Sequence, residues 1–203
     1  LSIPQSLDDL LKPEYAGLLV VTNPATSSPG LAFLMATIAQ YGDPGYLEYW
    51  QSLKQNDLRV VNDWESAYYT EFTRAGGMVP IVLSYASSPA FEVIYAETPL
   101  ETPPTASITS AGACFRQVEF VGILQGTANQ DLAEKWVDFM LSTSFQEDMP
   151  LQMFVFPVNR QAKLDERFAQ HLVNPEQPAS LPYEVIAANR EAWIQAWTEA
   201  VLR

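Results

Sequence analysis

The chain has 203 residues, of which 48% are hydrophobic, enough to bury a core in one or two α/β lobes. Its 24 acidic and 11 basic residues give a net charge of −13, which argues against nucleic acid or an anionic membrane surface as a partner. With one cysteine, one histidine and no apolar run of membrane-spanning length, these residues predict no intrachain disulfide, no metal cluster and no membrane span.

The first part of the chain alternates between strand and helix patterns. A short capped helix is predicted over 6–11, and the apolar run 17–21 is typical of a strand buried on both faces. A polar loop then leads to a helical pattern over 31–41 that Gly42 ends. Further helices are predicted over 45–54 and 63–74, the second with Asp63 as N-cap and a Gly-Gly stop, and further strands over 58–62 and 79–84. This alternation indicates an α/β fold.

The second part is less regular. A helical turn is predicted to open at 87–89, and the acidic, proline-rich stretch 97–104 indicates a surface connection. Residues 115–122 predict a strand, and 131–142 predict an amphipathic helix. A proline-containing linker over 174–182 leads to a final helix over 182–203 that carries two tryptophans.

The loop before the helix at 31–41 is the first candidate site. Pro29 suits the first position of a helix, so we expect Ser28 to be the N-cap and Ser27 to stand just outside it. Free amides and the positive end of the helix dipole there favour an anion or a hydroxyl. The alternative is ordinary capping, which the same residues provide in many proteins.

Aromatic side chains form the second candidate site. Trp64 and Tyr68 are four residues apart, so they share one face of their predicted helix just after a strand. Tyr85 follows the end of another buried strand, and Phe91 returns one helical turn later, which would allow the two rings to sandwich a flat ligand. Open α/β sheets bind ligands at this edge. The alternative is that these rings are core residues.

Catalytic candidates are weak. Glu119 could project into a cleft, but most strand carboxylates pair with arginine or face water, and His171 is expected to face solvent on a polar helix. No Ser-His-Asp pattern or glycine-rich phosphate loop occurs. A non-enzymatic binding role is therefore favoured.

Three segments carry a resemblance to a known family: 23–31 (NPATSSPGL), 64–68 (WESAY) and 83–91 (LSYASSPAF). Further landmarks follow in the family's order at 117–119, 139–146, 156–158 and 189–197. In these segments the chain resembles the periplasmic thiamine-binding proteins of ABC importers.

The resemblance implies a type 2 periplasmic-binding-protein fold, in which two α/β lobes close on a ligand cleft. It implies that thiamine or a thiamine phosphate is the transported ligand, that no cofactor is needed, and that an ABC transporter permease is the partner. It also implies a periplasmic location, free or anchored to a membrane. The predicted ligand-binding residues are Ser27, Ser28, Trp64, Tyr68, Tyr85, Phe91 and Phe154.

The resemblance gives these residues roles. Ser27 matches a serine that contacts phosphate or hydroxyl, and the matched aromatic residues stack on the ligand's rings. Phe91 and Phe154 stand where the family usually has tyrosine and tryptophan, so each keeps a π face and lacks a hydrogen-bonding group. Ala25 replaces a basic residue of some relatives, which favours thiamine over its diphosphate.

The resemblance also implies a division of the chain. Residues 1–116 would form most of one α/β lobe, 117–150 a return segment into the other lobe, and 151–203 a C-terminal helical segment packed on the lobes. Complete receptors of this family have a further N-terminal part, so we expect the fold to be partial. The counterpart of Cys114 pairs in some relatives with a cysteine of that part, and a buried free thiol is the alternative.

Three functional alternatives stay open. The same fold could bind another small solute, such as an iron carboxylate or a phosphonate. Thiamine-degrading enzymes share this architecture and use a cysteine nucleophile, for which Cys114 is the one candidate and Glu119 the neighbouring base. The aromatic residues could also be the core of a scaffold or adhesion module.

Overall fold

The computed structural model describes residues 2–203, which divide into two units. The first unit contains the residues up to Ala86 together with Ile108–Gln117 and Asn174–Arg203. The second unit contains Ser87–Ser107 and Val118–Val173. Each unit is therefore assembled from separate stretches of the sequence. The division predicted from the sequence, at residues 116 and 150, stays a prediction.

A parallel three-stranded sheet lies at the centre of the first unit. Its strands are β1 (Leu19–Thr22), β2 (Arg59–Val61) and β3 (Ile81–Val82), in the spatial order β2-β1-β3. In the register, Val20 of β1 lies opposite Arg59 of β2 and Val82 of β3. All four residues of β1 are buried, which confirms the strand that the apolar run at 17–21 predicts, shifted by one or two residues.

The helices are α1 (Ser28–Tyr41), α2 (Gly45–Gln55), α3 (Trp64–Ser66), α4 (Ser88–Ile94), α5 (Gln130–Met140), α6 (Thr143–Met153), α7 (Glu166–His171) and α8 (Tyr183–Leu202). The predictions for α1, α2, α5 and α8 are confirmed to within three residues. The helix predicted over 6–11 is a 3-10 helix, Asp8–Leu11. Sequence reasoning missed α6, which contains Pro150, a residue that normally ends a helix.

The core of the first unit lies between the sheet and helices α1, α2 and α8. The Trp50 ring of α2 is completely buried and meets the rings of Trp197 and Phe33 edge to face, at centroid distances of 5.3 and 5.2 Å. Gly42 ends α1 with a positive φ of 73°, which glycine adopts without a steric penalty. These ring contacts join α1, α2 and α8.

The helix predicted over 63–74 is the first correction. Asp63 is its N-cap as expected, since its Oδ1 accepts a hydrogen bond from the Ser66 amide at 2.7 Å. After one α turn, however, the chain widens into a π-helix, Ala67–Glu71, and then leaves the helix. The amide of Val79 donates to the Glu71 carbonyl, and the amide of Thr73 donates to the Val79 carbonyl. These bonds to Val79 replace the ones that would continue the helix.

The second unit contains helices α4 to α7 and no strand among its described residues. The strand predicted over 115–122 is wrong, because no strand covers these residues. Phe115 forms a single bridge with Ala179, in the first unit, and residues 116–122 are exposed. An alternating pattern becomes a strand only where a neighbouring strand pairs with its backbone groups, and none does so in residues 2–203.

A third correction concerns the start of α1. The N-cap is Ser27 and not Ser28, because the Ser27 carbonyl accepts the first helical hydrogen bond, from the Leu31 amide at 3.0 Å. Ser27 has the extended backbone of an N-cap, while Ser28 is already helical. Proline is tolerated in the first turn and does not have to occupy its first position, so the cap lies one residue earlier than expected.

Within residues 2–203, no helix has the length and the apolar composition that a membrane crossing requires.

Candidate functional site

The candidate site of the first unit lies at the carboxyl edge of its sheet. Because the three strands are parallel, the segments that follow them emerge at this same edge. The segment after β1 carries Ser27, the segment after β2 carries Trp64, and the segment after β3 carries Ser84 and Tyr85. Three of the predicted site residues, distant in sequence, thus belong to one edge of one sheet.

Hydrogen bonds tie these three segments together. The amide of Asn23 donates to the Val61 carbonyl at 2.8 Å, and the Thr26 hydroxyl donates to the Asn62 carbonyl at 2.7 Å, so the first segment is fixed to the second. The Trp64 indole Nε1 donates to the Ser84 hydroxyl at 2.9 Å, which fixes the second segment to the third. These bonds join the three segments along the edge.

The start of α1 lies unusually close to the end of β1. A Cβ placed on Gly30 would be 2.3 Å from the Thr22 carbonyl oxygen, so only glycine permits this approach. Ser27 is half-buried and Ser28 is exposed at the N-terminus of this 14-residue helix. Ser27 makes no side-chain capping bond, and its hydroxyl stands beside the positive end of the helix dipole.

Aromatic rings cluster around Trp64. The Trp64 ring stacks on Tyr68, with centroids 4.9 Å apart, which confirms that the two residues share one face. Tyr85 is 5.8 Å from Trp64 at 51°. Tyr68 is buried against Phe72, whereas Trp64 and Tyr85 are half-buried. Tyr68 therefore supports the cluster from inside, and Trp64 and Tyr85 offer the accessible π surface.

The remaining predicted aromatic residues lie in the second unit. Phe91 of α4 is in contact with Phe154, the C-cap residue that follows α6, at a ring-centroid distance of 3.8 Å. Phe91 is only 3% exposed and also packs against Phe168. The Ser87 hydroxyl donates to the Phe154 carbonyl at 2.8 Å and so holds the start of α4 against the end of α6. The structure brings Phe91 and Phe154 together, and their contact with a ligand stays a prediction, as does the sandwich between Phe91 and Tyr85.

The environment of Cys114 does not favour a nucleophilic role. Burial raises the pKa of the Cys114 thiol, whose Sγ lies 3.7 Å from the Ile108 carbonyl oxygen, so the thiolate needed for nucleophilic attack is disfavoured. The side chain of Glu119, the proposed base, is exposed. In the part of the chain that the structure describes, no three His, Cys, Asp or Glu side chains are grouped to hold a metal ion.

Sequence reasoning missed Ser84 as a positioning residue. Its place just after β3, directly before Tyr85, is the available signal, but its partner Trp64 lies 20 residues earlier. Only the pairing of β2 and β3 on either side of β1 makes that contact foreseeable.

Comparisons with known proteins agree with this architecture. A family model described as bacterial extracellular solute-binding protein matches residues 1–184. A thiamine-binding periplasmic protein of Brucella abortus biovar 1 (strain 9-941) is 30% identical over 200 residues, which is 98% of this chain and 58% of that protein. The chain thus spans little more than half the length of the curated relatives it matches.

Solved structures give the same fold. A periplasmic thiamin binding protein matches with a TM-score of 0.79 and 27% identity, over 100% of this chain and 60% of that one. A ferric binding protein from Campylobacter jejuni matches with a TM-score of 0.64 over 97% of this chain and 62% of that one, and at 18% identity this likeness concerns the fold alone. The chain has part of a type 2 periplasmic-binding-protein fold.

Proposed function

Since the chain belongs to the bacterial extracellular solute-binding protein family, we propose that the protein captures thiamine, or a thiamine phosphate, and delivers it to an ABC importer. The observation that carries this proposal is the cluster of Trp64 and Tyr85 at the carboxyl edge of the sheet, with Ser27 on the neighbouring segment. The relatives named as thiamine-binding periplasmic proteins support the choice of ligand.

Thiamine suits this cluster because it joins a flat aminopyrimidine to a cationic thiazolium ring. A cation over an aromatic face gains about 0.5–2 kcal/mol per contact, and a flat ring stacks on Trp or Tyr. The net charge of −13 adds a long-range attraction for a cation. The half-buried rings of Trp64 and Tyr85 supply the π surface for both kinds of contact.

The far end of the ligand would meet the start of α1. The hydroxyl or phosphate of the ligand is a hydrogen-bond acceptor that the Ser27 hydroxyl and the helix N-terminus favour. No basic side chain stands in this loop, where position 25 is alanine. We therefore propose thiamine over thiamine diphosphate, because a doubly charged terminal phosphate would lack a cationic partner there.

The proposed role is binding without catalysis. The raised pKa of Cys114 disfavours the thiolate that a thiamine-degrading enzyme would use. Incubation of the protein with thiamine and an amine, followed by chromatography for cleaved pyrimidine, tests this point. We expect intact thiamine, and cleaved pyrimidine would contradict the binding-only role.

Calorimetry of thiamine binding to the full-length protein tests the proposal. We expect binding in the low micromolar range or tighter, and loss of at least tenfold in affinity for Tyr85→Ala, which removes one stacking surface. Tyr183→Ala, which changes an exposed tyrosine on α8, is the matched control and should bind as the native protein does. An absence of heat at high micromolar thiamine would refute the proposal.

The same titration separates a ligand site from a core role. If Tyr85 is only a core residue, Tyr85→Ala will lower the thermal midpoint of unfolding and leave the affinity of the folded protein unchanged. If Tyr85 is a ligand residue, the affinity will fall and the midpoint of the free protein will stay close to native.

A further inference from the structure

The π-helix after α3 changes which side chains share a face. In an α-helix, residues five apart point about 140° away from each other, because each residue turns by about 100°. In a π-helix the hydrogen bond closes over five residues, so position i+5 returns close to the face of position i. The chain makes this wider turn at Ala67–Glu71, where the Phe72 amide donates to the Ala67 carbonyl at 3.1 Å.

Tyr69, inside this π-helix, contacts Trp64 of α3, five residues earlier. The centroids of the two rings are 5.3 Å apart and their planes are nearly perpendicular, at 80°. Tyr69 also meets Tyr68 at 5.5 Å and 79°. A helical pattern read from the sequence assigns Tyr69 to the opposite side from Trp64, which is why sequence reasoning did not select it.

Tyr69 differs from its neighbours in exposure. Its side chain is 57% exposed, while Tyr68 is 6% exposed. A large aromatic ring with this exposure contributes little to the core, because most of its surface stays in water. Two perpendicular rings in contact form a corner in which a cationic group touches two π surfaces at once.

We propose that Tyr69 is a further ligand-contacting residue of the site, and that it forms with Trp64 a corner that receives the cationic ring of the ligand. This inference rests on the proposed function, since it names a residue and a role within the same site. The two rings belong to neighbouring turns, since Trp64 lies in α3 and Tyr69 in the π-helix that follows it.

The experiment compares thiamine with 3-deazathiamine, a neutral isostere in which carbon replaces the charged ring nitrogen. Calorimetry is done on the native full-length protein and on Tyr69→Leu, Tyr69→Gln and Tyr69→Phe. We expect Tyr69→Leu and Tyr69→Gln to bind thiamine roughly three- to tenfold more weakly than the native protein does. The affinity of the same two variants for the neutral isostere should fall by less than twofold, because only the cation gains from the ring. Tyr69→Phe keeps the π face and should stay within about twofold of native.

Each result has one meaning. If the native protein does not bind thiamine, the proposed function fails and this inference fails with it. If the native protein binds and Tyr69→Leu and Tyr69→Gln bind equally well, the inference alone is refuted. An equal loss for both ligands also refutes it, because that result assigns Tyr69 a packing role. Tyr183→Leu is the control for removal of an exposed tyrosine. Because Tyr69 is replaced by both Leu and Gln, the test can still be made if one of these two variants folds poorly.

Discussion

The indole nitrogen of Trp64 donates a hydrogen bond to the hydroxyl of Ser84 at 2.9 Å, and this bond joins the segment after β2 to the segment after β3. Strand β1 lies between β2 and β3 in the sheet, so the segment that carries the donor and the segment that carries the acceptor are one strand apart. The bond therefore spans the sheet edge and holds the largest ring of the cluster in one orientation. A ring that is fixed before the ligand arrives loses less conformational freedom on binding.

Replacement of Ser84 tests whether this orientation matters. Ser84→Ala removes the acceptor for Trp64, so we expect thiamine affinity to fall about three- to tenfold and stability to fall by about 1 kcal/mol, the usual contribution of one hydrogen bond. Ser84→Thr keeps a hydroxyl and should retain most of the affinity. Calorimetry and urea unfolding measure the two effects. Native affinity in Ser84→Ala would show that the bond does not position Trp64 for binding.

The sequence predicts much of the carboxyl edge of the sheet. An apolar run followed by a Ser-Pro-Gly helix start identifies β1 and α1, and Trp64 and Tyr85 each follow a strand pattern. Parallel strands deliver such residues to one edge by geometry alone. The sequence does not predict the hydrogen bond between Trp64 and Ser84 or the contact between the Tyr69 and Trp64 rings, because no local pattern encodes these contacts.

Two errors of prediction have a common physical cause. The pattern at 115–122 suits a strand, but a strand exists only with a partner. The pattern at 63–74 suits one helix, but the backbone of Glu71 bonds to Val79 instead. In both cases the local preference is sound and a tertiary contact, absent or present, decides the outcome. The predicted N-cap of α1 was wrong by one residue for a simpler reason: proline is tolerated at the second helical position as well as at the first.

The close approach of α1 to β1 predicts a strong effect at Gly30. Gly30→Ala puts a Cβ 2.3 Å from the Thr22 carbonyl oxygen, a backbone atom that cannot move aside, so we expect a loss of about 2–3 kcal/mol in unfolding free energy. Gly45→Ala is the matched control, because its nearest neighbour would be 3.8 Å away. It should leave stability unchanged or raise it by up to about 1 kcal/mol. Urea unfolding distinguishes them, and equal effects would contradict the packing.

Thr22, at the end of β1, carries a buried hydroxyl that lacks a hydrogen-bond partner among the described residues. Thr22→Val replaces this hydroxyl by a methyl group of similar size, removes the cost of keeping the oxygen from water, and suits a strand. We expect the free energy of unfolding to rise by about 1 kcal/mol, measured by urea unfolding. Thr22→Ser, which keeps the hydroxyl and leaves a gap, should lower it. A loss of stability in Thr22→Val would mean that the hydroxyl has a partner.

The Asp63 cap at the start of α3 predicts a dependence of stability on pH. The hydrogen bonds from Ser66 hold the pKa of the Asp63 carboxyl below its ordinary value. The folded protein thus favours the charged form, so the stabilising effect is complete above the ordinary pKa of about 3.9 and disappears as the pH falls through the lowered one. We expect the difference in unfolding free energy between native and Asp63→Ala to shrink over this acidic range. Asp63→Asn also caps a helix but does not titrate, so its advantage over Asp63→Ala should persist. Urea unfolding of the three proteins at a series of pH values measures both differences, and a native advantage independent of pH would rule out the charged cap.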